Sequence, residues 1–289
     1  EDFYEDQALS SAREEFAAAV RRHLAQLAEE DPDRLKGIVS VHAEAIKAMA
    51  AWDDELFRLF IDYLSFETSE GLMTGAALKR AGEAVWVHSV PKFKQLKPIF
   101  MAQGRLLICT GYASDQELIQ AMAERFGLPF QPLHEDDMFD TLEDVTAAER
   151  QRGERLLRAA DEALLPFECQ AKLRRFLPAD LPVLYAMSDE VQFLRQLQTA
   201  QENSNGIFSG ALASMLSGVE ERPLATLYLN LNSPIVRRLV TTADTELLAS
   251  MARVLYVQAL LAGGHPLRGG ELKTMNQALL DLLEHTAGA

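Results

Sequence analysis

The sequence predicts an α+β protein with an α/β part. A helical segment and a small α/β/α subdomain come first, followed by a mixed α/β domain that ends in a two-helix hairpin. Three observations carry this expectation. Residues 10–64 place apolar side chains at helical spacing, with a break at Asp31-Pro32. Residues 84–133 alternate short, continuous apolar runs with helix-like stretches. Residues 245–289 hold two helices that are apolar on more than one face.

At the start, Ser10 or Ser11 is expected to cap a helix that runs through about Glu29, with Phe16, Val20, Leu24 and Leu27 on one stripe. A second helix is expected from Pro32 to Met49 and a third from Asp53 to Leu64. The runs Ala84–His88 and Arg105–Thr110 read as strands, and Pro129–Leu133 as a third. Lys92 to Gln103 lies between the first two, interrupted by Pro98 and ended by Gly104. Between the second and third, Ser114-Asp-Gln-Glu117 spells a capping box. Leu118, Met122 and Phe126 then form a stripe, and Gly127 supplies the stop. Continuous apolar strands joined by helices predict a small parallel sheet covered on both sides. A Rossmann enzyme has the same outline but needs a Gly-x-Gly-x-x-Gly after a strand. Neither that pattern nor a P-loop occurs in this chain.

His134-Glu-Asp-Asp-Met-Phe-Asp140 reads as a solvated acidic loop or, alternatively, a metal loop, although adjacent side chains on a turn imply no defined ligand geometry. Thr146-Ala-Ala-Glu149 is another capping box, opening a helix through Ala163. A boundary near Val145 follows, giving domains 1–145 (helical 1–83, α/β/α 84–145) and 146–289. In the second domain Val183–Met187 is expected as a strand, Ser188–Gln201 as a helix and Gln201–Gly206 as a polar connection. Ile207, Phe208, Leu212, Met215 and Leu216 follow as an apolar helix-like run, then a strand over Thr226–Leu231 and a short basic helix.

The terminal helices are expected over about Glu246–Leu261 and Glu271–Glu284. The first carries Leu247, Met251, Val254 and Leu261 on one stripe, with Leu248, Leu255 and Leu260 beside it. The second carries Leu272, Met275, Leu279, Leu280, Leu282 and Leu283. Two readings fit: a hairpin folded into its own core, or a pair of helices whose second face meets a partner subunit.

Composition bounds the function. The charge of 28 − 43 = −15 disfavours a general nucleic-acid binder and suits a protein that must stay dispersed. No window of about twenty apolar residues is found, so no membrane span is expected. The start is acidic and carries no signal peptide or initiator Met, so a fragment is expected. Cys109 and Cys169 make no disulfide framework, in keeping with a reducing cytoplasm. The six His residues form no His-Glu-x-x-His and pair with no Cys at zinc spacing. Ser209-Gly and Ser217-Gly lack the setting of a nucleophile elbow. No catalytic, cofactor or metal residues are therefore assigned.

The order of certain residues carries a resemblance. Ala225-Thr-Leu-Tyr-Leu-Asn230 leads into Ser233-Pro-Ile-Val-Arg-Arg-Leu239. Then come Gln258-Ala-Leu-Leu-Ala262, a Gly263-Gly264 turn and Met275-Asn-Gln277. This series resembles the C-terminal dimerisation domain of the heat-shock protein 90 chaperones, in their bacterial high-temperature protein G form. Upstream, Leu27-Ala-Glu-Glu-Asp-Pro-Asp-Arg-Leu35 and Glu55-Leu-Phe-Arg-Leu59, with Leu64-Ser-Phe-Glu-Thr-Ser-Glu70, are similar to the end of that family's middle domain. Trp86 and Leu106 fall in the strands of its small α/β/α subdomain. The family's Arg before Phe66 is Ser65 here, and the loop after it is shorter.

The resemblance implies a fragment of an ATP-driven chaperone for protein folding and unfolded-protein binding under stress. The fragment would supply homodimerisation through Met251, Val254, Leu255, Leu261, Leu279 and Leu283. Part of a client surface would come from Phe208, Leu212, Met215 and Leu216, although these four also read as a plain core helix. ATP and magnesium would belong to an N-terminal domain upstream, so this chain is expected neither to bind nor to hydrolyse ATP. The ending Glu284-His-Thr-Ala-Gly-Ala289 lacks the acidic tail of eukaryotic cytosolic relatives, which implies a bacterial form. A non-chaperone dimeric scaffold built on the same domain pair is the alternative, prompted by the departures at Ser65 and in the client-side run.

Overall fold

The computed structural model describes residues 7–133, 142–187 and 225–287. The protein is α+β, with two mixed sheets and a C-terminal helical hairpin. It divides into two compact units: residues 1–89 with 105–132, and residues 90–104 with 133–289.

In the first unit, α1 (Gln7–Glu30), α2 (Pro32–Ala50) and α3 (Asp54–Phe60) precede a sheet. The first helix runs past Ser10 and Ser11, so neither serves as its cap. Its outer end leaves Phe16 73% exposed, while Leu27 is buried. Asp31 caps α2 by accepting from the Arg34 amide, and Pro32 sits in the first turn where its missing N–H costs nothing. Asp53 caps α3 in the same way, accepting from the amides of Glu55 and Leu56.

The sheet holds β1 (Ser65–Thr68), β2 (Gly71–Thr74), β3 (Ala84–Val87), β4 (Leu106–Cys109) and β5 (Phe130–Pro132), in the order β2-β1-β4-β3-β5. The three expected strands pair in parallel, β3 lying between β4 and β5. The sheet is nevertheless mixed, because an unanticipated hairpin adds β1 antiparallel to β4. Four-residue strands give too short an alternation to read, and the turn relies on Gly71 at φ +106°. A single turn of helix, α4 (Gly75–Leu78), follows the hairpin.

Helix α6 (Asp115–Phe126) packs Leu118, Ile119 and Met122 into a core with Leu35, Val39, Ile46, Phe57, Phe60, Phe66 and Ile108. Gly127, at φ +60°, ends α6 as expected. The capping box at its start is not formed. Ser114 is left-handed (φ 64°), outside the extended backbone an N-cap requires, and its side chain makes no cap bond. Asp115 in the first turn pairs instead with Lys47 at 2.7 Å, both buried. Burial pushes the Asp115 carboxyl up, and the Lys47 ammonium opposes that shift.

The second unit includes α5 (Val90–Ala102), which keeps Pro98 inside it. Its sheet has β6 (Glu143–Asp144), β7 (Cys169–Arg175), β8 (Val183–Met187) and β9 (Ala225–Asn230) in the order β6-β7-β9-β8. Strands β7 and β9 are parallel, and β6 and β8 are antiparallel to their neighbours. Helix α7 (Ala147–Leu164) opens with the expected capping box, Thr146 and Glu149 bonding each other's backbone reciprocally. A 3₁₀ turn at Leu165–Phe167 returns the chain into β7.

Asn230 ends β9 fully buried, and all its polar capacity is used. Its amide donates to the carbonyls of Phe176, Pro178 and Leu181, and its oxygen accepts from the amides of Phe176 and Asn232. The side chain thus folds the 176–182 connection onto the strand end, from which α8 (Pro234–Thr241) departs. The helix expected over Ser188–Gln201, the polar connection after it and the acidic run His134–Asp140 lie outside the described residues.

Candidate self-association surface

The hairpin is α9 (Thr245–Ala262) and α10 (Gly269–Ala287). Asp244 caps α9 by accepting from the Glu246 and Leu247 amides at 3.0 Å each. Gly263 and Gly264 turn the chain, the latter at φ +69°, and the His265 amide returns to the Leu260 carbonyl. By length and mean hydropathy (1.2 over 18 residues) α9 would suffice to cross a membrane. Its Leu248, Leu255, Tyr256, Val257 and Leu260 instead lie in the core of their own unit, with β7, β8 and β9.

Helix α10 is fixed at its start by a buried carboxylate. Glu271 is fully buried and accepts from the Tyr256 hydroxyl at 2.9 Å, the Arg268 amide at 2.8 Å and the Arg268 guanidinium at 3.3 Å. Tyr256 stacks on Phe167 (5.2 Å) and meets Tyr185 edge-on (5.7 Å), and Tyr185 meets His265 in turn (5.6 Å). Sequence reading gave Glu271 only as a helix start. Its bond to the Arg268 amide is half a capping box, and an Arg at the head of that box gives no Ser/Thr signal.

Beyond Glu271, Ala278 is the one fully buried apolar side chain among the described residues of α10. Ser250 Oγ reaches Asp281 at 3.4 Å, and Gln277 donates to Asp281 at 2.8 Å. The outer side keeps Leu272, Leu279, Leu280 and Leu283 exposed by 47, 42, 54 and 64%, and Leu261 closes α9 with 54% exposure.

The six sequence-assigned interface residues therefore separate. Leu261, Leu279 and Leu283 lie on the open surface, and Met251 and Val254 are half-buried, Met251 packing on its own core. Leu255 is 3% exposed within that core and offers nothing to a partner. The physical reason is the composition of α9: with apolar residues on most of its circumference, periodicity cannot say which stripe turns inward. Phe208, Leu212, Met215 and Leu216 lie outside the described residues.

Among the described residues, no group of three His, Cys, Asp or Glu side chains is placed to hold a metal ion. What the hairpin offers chemically is apolar area, with the buried Glu271 carboxylate as its polar anchor. No protein-family model matches the chain, and no curated protein matches it.

Proposed function

We propose that the chain is the self-associating part of a molecular chaperone of the heat-shock protein 90 type, equivalent to the end of the middle domain and the C-terminal dimerisation domain of its bacterial form. The observation that supports this reading is the row of open leucines on α10. Four Leu lie about half-exposed or more on one side of α10, and Leu261 is open at the end of α9; a run of exposed apolar side chains of this kind suits a protein–protein contact. A second copy placed about a two-fold axis would cover it as a four-helix bundle. Each of these leucines is already about half covered, so completing its burial contributes on the order of 1 kcal/mol in transfer free energy.

The seam is assigned to Leu261, Leu272, Leu279, Leu280 and Leu283, flanked by Met251 and Val254. Client contacts are assigned to Phe208, Leu212, Met215 and Leu216. ATP binding is assigned to no residue of this chain.

Mass measured by light scattering tests the assembly. The unmodified chain is expected at twice its 32.1 kDa and Leu279→Glu or Leu283→Glu at the monomer mass, since like charges meeting across a symmetric seam cost several kcal/mol. A monomer at every concentration, or dimers in both folded variants, sinks the reading. Leu255→Glu is not informative here, because it places a charge in the core.

A further inference from the structure

Helices α7 and α9 flank an open groove of about 620 Å³ in the second unit, and its walls carry Arg155, Arg158 and Arg253 together with Glu162 and Glu246. Three guanidiniums in one groove stand out in a chain whose formal charge is −15. Helix α7 concentrates them, with Arg150, Arg152, Arg155 and Arg158 all exposed within three turns. Arg158 is committed to Glu154 at 3.1 Å, an exposed pair worth little. Among the described residues, Arg155 and Arg253 make no ion pair, so their forks are free to receive an acceptor. Arg155 and Arg158 share one face of α7 with Glu162, at the spacing that lines side chains along a helix. Ala159, Ala163 and Ala249 leave the floor shallow and open.

From this arrangement we infer that the α7–α9 groove binds a peptide segment bearing spaced carboxylates. Guanidinium forks match carboxylates in pairs of parallel hydrogen bonds, which favours acidic side chains over neutral ones. The glutamates in the same groove argue against a nucleic acid. A continuous phosphate backbone would meet Glu162 and Glu246 as well as the chain's overall negative field, whereas a peptide can place its carboxylates at the arginines alone. The groove lies apart from the open leucines of α10, and this inference does not rest on the self-association reading.

Fluorescence anisotropy of a labelled peptide alternating Glu and Gly tests it, with a Lys–Gly peptide and an oligouridylate as the other arms. The Glu peptide is expected to bind saturably and to weaken as ionic strength rises well above about 0.15 M. Arg155→Glu should weaken binding by roughly tenfold or more, and Arg155→Lys by less, because the ammonium keeps the charge and loses the fork. Arg155 is exposed, so Arg155→Glu keeps its fold even if Arg253→Glu does not. An unchanged mass for Arg155→Glu separates this result from any failure of the dimer. No saturable binding of the Glu peptide, binding indifferent to Arg155→Glu, or equal binding of oligouridylate overturns the inference.

Discussion

Glu149 shows how one side chain can close its own helix and tie it to a strand. Its carboxylate accepts from the Thr146 amide and hydroxyl at 3.0 Å each and is paired with Arg175 of β7, which in turn donates to Asn232 at 2.9 Å. The Thr146 amide, then the Arg175 guanidinium, hold the carboxyl below the ordinary glutamate value of 4.5. A carboxyl lowered by folding adds stability that is present above 4.5 and is lost as the pH falls through the folded value. Thermal midpoints of the native chain and Glu149→Gln, taken as a difference at each pH, should therefore be furthest apart near neutrality and converge in acid. A gap independent of pH would assign Glu149 a packing role only. This residue was legible beforehand, because a Thr-x-x-Glu before an amphipathic run is a local signal. Arg175 was not: its partnership spans 26 residues, and no local pattern announces it.

Elements meet closely where a glycine removes the side chain, and the two closest such approaches among the described residues differ in kind. A Cβ at Gly75, which opens α4, would lie 2.0 Å from the Ile61 carbonyl oxygen, a backbone atom that cannot step aside. At Gly153, in the middle of α7, it would lie 2.3 Å from Leu173 Cδ1, the far end of a side chain that can rotate. Gly75→Ala should thus destabilise by about 3 kcal/mol or more, at the upper end of overpacking costs. Gly153→Ala should stay within about 1 kcal/mol of neutral, since better helix propensity offsets the repacking. Equal losses in denaturant titration would show that Leu173 is as fixed as backbone. The same contrast explains what the sequence revealed at this scale. Helix stops such as Gly127 were readable because the cause is local. The β1–β2 hairpin and β7 were not, since short strands owe their existence to partners distant in the chain.

At the scale of the whole molecule, the sequence indicated two apolar terminal helices and left open which residues face inward. The structure divides them: Leu255 and Tyr256 go to the core, Leu261, Leu279, Leu280 and Leu283 to the surface. That division needs the positions of α7 and β8, which pack against α9, while α10 is anchored through Glu271 and Ala278. A surface kept open in this way has a thermodynamic signature if a second copy covers it. Association stabilises the folded state by mass action, so the thermal midpoint must rise with protein concentration. For a dimer that unfolds and separates together, each tenfold increase adds about 1.4 kcal/mol, which raises the midpoint by roughly 1 °C for a chain of this size. Scans over several decades of concentration should show that slope for the native chain and none for Leu279→Glu, whose midpoint should match the native chain extrapolated to high dilution. A native midpoint that stays flat across the range would mean that the leucines of α10 remain in water and that the hairpin serves its own unit alone.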